Sequence, residues 1–438
     1  MTVRNVAALS ALASLVASAC IAVGQRVEDT ATSCVGERWL SPHELRTPDG
    51  FTVFVAHPSI TRVRGDVFIA GWPIETFDSL GARVWPLTSG KRQPSLKPEE
   101  YPAGVRIGKD RGVQLVPWPA DLASGPWMPV ATSDADGYAH VVWGSRDSVE
   151  MSSLFMVRSL WYSRFDGATL GPPARLLTTE GLIRWTTAQA SPIVARDRSL
   201  HLMVGIQGEE LRYVRFDGGA WTVRRVGIDP LYVGYPRLAV LSTGRVVLLI
   251  QGNMTRPPVR AIDGFFITSS DDGGRNWSPP APISRVEDGP DFDGRLLVDD
   301  KDVVYAFWYQ QTDASGKPAQ GVSLGGSPGR IYATQSFDRG ATWRRAMPTS
   351  LIANADELQV LLRPDHSVLS VLADGDGKRM LASTWSNGWS DFAIIDAKLS
   401  PYNPALGTDD AQRPLLTWGI RREPSWVGTM TTSLVPCH

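Results

Sequence analysis

Three short stretches of this chain set arginine, acid and tyrosine close together, each ahead of an apolar run: Tyr235-Pro236-Arg237, Asp291-Phe292-Asp293-Gly294-Arg295 and Asp356-Glu357. These residue types suit one kind of ligand. A guanidinium is planar, forked and permanently charged, so Arg237 and Arg295 can grip a carboxylate at two points. Glu357 and Asp293 add carboxyl groups able to move a proton, and Tyr235, Tyr309 or Tyr402 a nearby phenol. Arg62, with Arg64 beside it, is a further cation upstream, and Arg421-Arg422 another downstream. The combination predicts a site for a negatively charged sugar, with Arg237, Arg295 and Arg62 binding and Glu357, Tyr235 and Asp293 reacting. The competing expectation is that all of them satisfy strand ends and solvated turns. His57, directly before Pro58, is placed where it could face the funnel, though the expectation is that it has no role. His140 and His201 occupy matching places in successive units, which predicts buried, hydrogen-bonded structural histidines.

Such residues need a frame, and the composition limits which. The 438 residues carry 44 Lys+Arg against 45 Asp+Glu, so net charge gives no reason to expect nucleic acid. Three Cys exclude a disulfide-framework mini-protein, and no Cys/His cluster has zinc spacing. With 16 Trp, 41 Gly and 32 Pro, short strands and tight turns are favoured over helices. No long segment repeats apolar residues at helical spacing. Instead a turn leads into a nearly continuous apolar run, as in Tyr138–Trp143, Leu200–Val204, Val246–Ile250, Val303–Trp308 and Val368–Leu372. Continuous apolar strands suit a sheet covered on both faces.

Each unit closes on a second motif. Tyr162–Gly167, Tyr213–Trp221, Ser270–Trp277, Ser336–Trp343 and Ser383–Trp389 are variants of it, at a spacing near 50 residues that indicates a propeller or solenoid. Strand-only units favour the propeller. Two of these turns match S-x-D-x-G-x-x-W in full, through Ser270, Asp272, Gly274, Trp277 and Ser336, Asp338, Gly340, Trp343. The Asp can accept backbone N–H groups across the turn, the Gly takes a positive φ, and the Trp buries its ring beneath.

This pattern resembles the Asp-box, or BNR repeat, of sialidases, over roughly Phe51 to Val435. The resemblance implies an all-β six-bladed propeller of four-stranded antiparallel sheets, with seven blades if Pro414–Gly419 and Val427–Val435 form a blade of their own. It also implies a retaining exo-α-sialidase-type hydrolase that holds a carboxylate with three arginines and uses a Tyr–Glu nucleophile and an aspartic acid. The family's F/Y-R-I-P motif is not present; the matching region, Phe54–Asp66, offers Arg62 or Arg64 instead. Two alternatives stay open: a non-catalytic propeller binding glycan or protein at the cell surface, and a propeller lyase acting on uronic-acid polysaccharides. Three guanidinium groups around a Tyr–Glu pair would mark the hydrolase. A funnel with His, Tyr and one or two cations would mark the lyase, and an apolar funnel the binding protein.

The N-terminus reads as an export signal over 1–24. Arg4 precedes an apolar run from Val6 to Val23, and Ala17-Ser18-Ala19 precedes Cys20, which is placed for lipidation. An extension over 25–50 and a single propeller over 51–438 follow, with long loops expected at 88–128 and 311–330. In an oxidising compartment Cys34 and Cys437 are expected to pair. The expected protein is a bacterial, exported monomer, secreted, periplasmic or lipid-anchored at the cell surface. It takes a glycan ligand and needs no cofactor, with a structural calcium left open.

Overall fold

The computed structural model describes residues 37–71, 74–77, 102–109, 112–119, 126–145, 156–184, 192–206, 210–228, 234–253, 263–284, 291–313, 315, 317, 319, 328–350, 353–374, 379–396, 401–422 and 425–437. The chain divides into a compact unit over 39–434 and a second over 1–38 with 435–438; most of the second, including the expected export signal over 1–24, Cys20 and Cys34, lies outside the described residues. Among the described residues every regular element is a strand, and no helix is long and apolar enough to cross a membrane.

The strands form a seven-bladed propeller. The innermost strands of blades 1 to 7 are Ser59–Val63, Pro126–Ser133, Ile193–Val194, Gly234–Val240, Asp291–Val298, Ala353–Leu362 and Pro401–Thr408. Each touches the next around the ring or reaches it through the neighbouring strand, and the last touches the first. The seven-blade alternative therefore holds. Pro414–Arg422 and Ser425–Pro436 belong to a complete final blade, whose outer strand His43–Glu44 comes from near the N-terminus and pairs with Thr431 and Met430. Mixing chain ends in one blade leaves no open edge between last and first sheets.

The stretch 88–128 contributes strands as well as loop, because Gly104–Ile107 and Val113–Val116 are the outer half of blade 1. The connection from Gln311 to Pro328 links two adjacent strands of blade 5. The apolar runs become the second strand of each blade. Val246 to Ile250 and Val304 to Trp308, for example, are almost wholly buried because neighbouring blades cover both faces. The larger core clusters accordingly draw on two successive blades, as where Tyr213 packs with Leu248 and Leu249 with Trp308.

The S-x-D-x-G-x-x-W turns behave as their chemistry predicts. Asp272 accepts the amides of Arg275 at 3.0 Å and Asn276 at 2.9 Å, and Ser270 Oγ accepts the amide of Gly274 at 2.8 Å. Asp338 accepts the amide of Thr342 at 2.8 Å and Ser336 Oγ that of Gly340 at 2.8 Å. Gly274 and Gly340 sit at φ of 84° and 83°. A Cβ on Gly274 would lie 2.3 Å from the ring of Tyr213 in the preceding blade, so glycine is required there on two counts. These accepted hydrogen bonds hold the Asp338 carboxyl down to about 2 and push that of Asp272 lower still.

Candidate active site

One bulge, repeated around the ring, builds the site. In blades 2, 4, 5, 6 and 7 two residues of the inner strand oppose one of its neighbour. They are Met128-Pro129 across from Trp143, Tyr235-Pro236 from Ile250, Asp293-Gly294 from Trp308, Asp356-Glu357 from Ala373, and Asn403-Pro404 from Trp418. His57-Pro58 and Pro192 directly precede the inner strands of blades 1 and 3. Proline is tolerated here because a bulge frees the strand from donating an N–H to the ladder. Blade 5 uses Gly294 instead, where a Cβ would come 2.5 Å from Phe265. Blade 6 alone uses a charged residue, Glu357.

Of the residues in the first position of this pattern, His57 and Asn403 line one cavity. His57, Met128, Asp293 and Asn403 occupy the same first position with φ of 47°, 45°, 49° and 47°, a left-handed region that His, Asp and Asn enter more readily than most residues. Backbone strain of this kind gathers at functional sites. The result is a cavity of about 210 Å³ at the mouth of the propeller, lined from all seven inner strands. Ile60, Val130, Pro192 and Leu406 form its apolar wall, while His57, Arg237, Arg295, Glu357, Gln359 and Asn403 supply its polar chemistry.

The charged groups fall into two arcs. Arg237, 4% exposed, and Arg295 bring cations from blades 4 and 5. Arg295 pairs through Nη1 with Asp293, and the other oxygen of Asp293 accepts the amide of Leu358 at 2.5 Å, which ties the cation to the strand bearing Glu357. On the opposite arc Asn403 lies between Glu357 and His57. With its amide oriented to satisfy both neighbours, its nitrogen donates to Glu357 Oε1 at 2.5 Å and its oxygen accepts from His57 Nδ1 at 3.0 Å and from the His57 amide at 3.3 Å. Burial lowers the pKa of His57 to about 4, so its imidazole is neutral at ordinary pH.

Arg237, Arg295 and Glu357 thus meet in one cavity, with Asp293 behind Arg295. Arg62 does not join them; its Nη2 donates to the carbonyl of Asp410 at 3.2 Å, between blades 1 and 7. Tyr309 is buried beside Gly329 rather than lining the cavity. Tyr235 and Tyr402 lie on inner strands, but their side chains, like that of Asp356, fall outside the described residues. Asn403 is the residue that chain order hides, and His57, expected to have no role, lines the cavity beside it. A proline recurring at 58, 129, 192, 236 and 404, near or just before the start of five of the seven inner strands, is the signal that marks their positions.

Two further histidines are held by hydrogen bonds within the blades. His140 bonds Tyr162 at 2.9 Å and Asp134 at 3.1 Å, and His201 lies between Tyr213 and Ser199. Asp299, Asp300 and His366 form a cluster at the junction of blades 5 and 6. The Asp299 oxygens already accept from the amides of Lys301 and Val303 and the hydroxyl of Tyr305. Cys437 is disulfide-bonded.

No family model and no curated protein matches the chain. Solved structures do. A protein of unknown function from Dyadobacter fermentans aligns with a TM-score of 0.52 at 13% identity, covering 92% of this chain and 99% of its own. A polysaccharide lyase, the PL25 ulvan lyase bound to -[GlcA(1-4)Rha3S]-, aligns with a TM-score of 0.53 at 12% identity, covering 90% and 95%. The NanB sialidase of Streptococcus pneumoniae gives 0.49 at 10% identity, covering 91% and 94%. At such identities the likeness is one of fold.

Proposed function

We propose that this chain is an exported carbohydrate-active propeller that cleaves a uronate-containing polysaccharide by β-elimination. The observation that carries this is one cavity holding two arginines on one arc and a neutral, oriented histidine on the other. A uronate has an acidic C5–H beside its carboxylate. Arg237 and Arg295 would neutralise the carboxylate and stabilise the charge that develops as C5 loses its proton. His57 Nε2 would accept that proton. The C5–H electrons then form the C4–C5 double bond, the C4–O bond breaks, and the departing oxygen takes up a proton. One proton leaves and one arrives, so the balance closes without consuming water. The ulvan lyase, bound to a glucuronate-containing repeat on a similar fold, is consistent with this reading. A sialidase-type hydrolase would need a third guanidinium and a Tyr–Glu pair. Among the described lining residues there are two arginines, and Glu357 is bonded to Asn403. The disulfide at Cys437 accords with export.

The test is to incubate purified protein with a panel of uronate polysaccharides and follow the ultraviolet absorbance of the unsaturated product, with a fluorogenic sialoside in parallel. Arg237→Ala, Arg295→Ala and His57→Asn should each lower turnover by on the order of 10²-fold or more. Sialoside cleavage with no unsaturated product from any polymer would overturn the proposal.

A further inference from the structure

We infer that Glu357 and Asn403 are positioning residues that hold His57 in its Nδ1–H form, so that Nε2 is the nitrogen able to accept a proton. The use made of Nε2 rests on the eliminative reading above; the tautomer itself depends on no substrate.

The inference follows from polarity. Asn403 is 3% exposed and lies between two groups that each have one hydrogen-bonding sense. The backbone amide of His57, 3.3 Å from one end of the Asn403 side chain, can only donate. The Glu357 carboxylate, 2.5 Å from the other end, can only accept while ionised. A primary amide offers one accepting oxygen and one donating nitrogen, so a single orientation satisfies both neighbours. In that orientation the oxygen also faces His57 Nδ1 at 3.0 Å, and Nδ1 must carry the hydrogen. A neutral imidazole has only one N–H, which leaves Nε2 as the acceptor.

The alternative is not neutral in its effect. In water the Nε2–H form of the neutral histidine side chain predominates, and that form would present a donor where a base is needed. The arrangement is also preorganised. Asn403 and Glu357 come from the bulges of blades 7 and 6 and His57 from the segment just ahead of the inner strand of blade 1, three neighbours in a closed ring, and His57 and Asn403 share a φ of 47°. Asp293 extends the same frame to the cations, since it holds Arg295 and the amide that follows Glu357.

Nitrogen-15 NMR of the full chain labelled at its 6 histidines reads the tautomer directly, with His57 assigned by the signals lost in His57→Asn. Wild type is expected to show a protonated Nδ1 and a bare Nε2. Glu357→Gln should retain this pattern, because the glutamine oxygen still accepts from Asn403. Glu357→Ala and Asn403→Leu should lose it in favour of Nε2–H or a mixture. In the cleavage assay Asn403→Leu should lower kcat on the order of 10²-fold while KM stays within about twofold. An Nε2–H signal in wild type would overturn the inference even if both variants failed to fold, and so would an Nδ1–H signal that survives in both. A wild-type Nδ1–H form that responds as expected in a protein that cleaves no polymer would support the positioning role and remove the eliminative reading instead.

Discussion

Replacing His57 by Asn should flatten the acid limb of the stability curve. Folding lowers the His57 pKa from 6.5 to about 4, because burial penalises the imidazolium. As pH falls, the unfolded chain therefore binds this proton first, and the folded state loses ground until it too is protonated. The contribution is fully present above pH 6.5 and drains away as pH drops toward about 4. One extra proton on the unfolded chain is worth ~1.36 kcal/mol per pH unit, so the whole window amounts to about 3 kcal/mol. Asn is the chosen replacement because it tolerates the φ of 47° at this position and introduces no titrating group. His201, whose pKa burial also lowers to about 4, contributes alike to both proteins and cancels in the difference. The assay is urea unfolding at several pH values between 7.5 and roughly 4, with the unfolding free energy of the variant subtracted from that of wild type. The difference should shrink by about 3 kcal/mol across the window. Parallel curves would mean that His57 carries no depressed pKa, and the neutral base would lose its physical support. The same value predicts that cleavage keeps its rate down to mildly acidic pH and fails only near pH 4.

Gly274→Ala should destabilise the fold by about 2–5 kcal/mol, from the positive φ together with a Cβ placed 2.3 Å from the Tyr213 ring. Gly218→Ala, at φ 89° with open space around it, isolates the backbone part at about 1–2 kcal/mol, and equal losses in thermal melts would refute the clash. Arg62→Ala should leave any polymer cleavage within about twofold, because Arg62 bonds Asp410 instead of lining the cavity; a loss like that of Arg237→Ala would restore it to the site. Peptide mapping without reductant should recover a Cys34–Cys437 cross-link. Reduction should lower the melting temperature, since closing a loop of roughly 400 residues is worth about 6 kcal/mol in the chain-entropy model. A free Cys34 would refute the pairing.

What the sequence determines by itself is periodic and local. Apolar runs bounded by turns specify buried strands, and Ser270–Trp277 and Ser336–Trp343 specify hairpin corners whose hydrogen bonds close within eight residues. Short-range chemistry of that kind needs no knowledge of the rest of the chain, so the propeller is legible in it. Arg237, Arg295 and Glu357 are legible too, because each stands at the mouth-end of an inner strand, and a radial array sends all such ends to one axis. The seventh blade was decided by closure, where His43–Glu44 pairs with the last strand across nearly the whole length of the chain. The placement of Arg62 was decided by a contact with Asp410 that lies 348 residues away. His57 and Asn403, separated by 346 residues, meet only because the ring closes between blades 7 and 1. A contact of that separation is not specified by any local pattern in the chain, and the Glu357–Asn403–His57 chain of hydrogen bonds exists only once the tertiary structure has brought blades 6, 7 and 1 together.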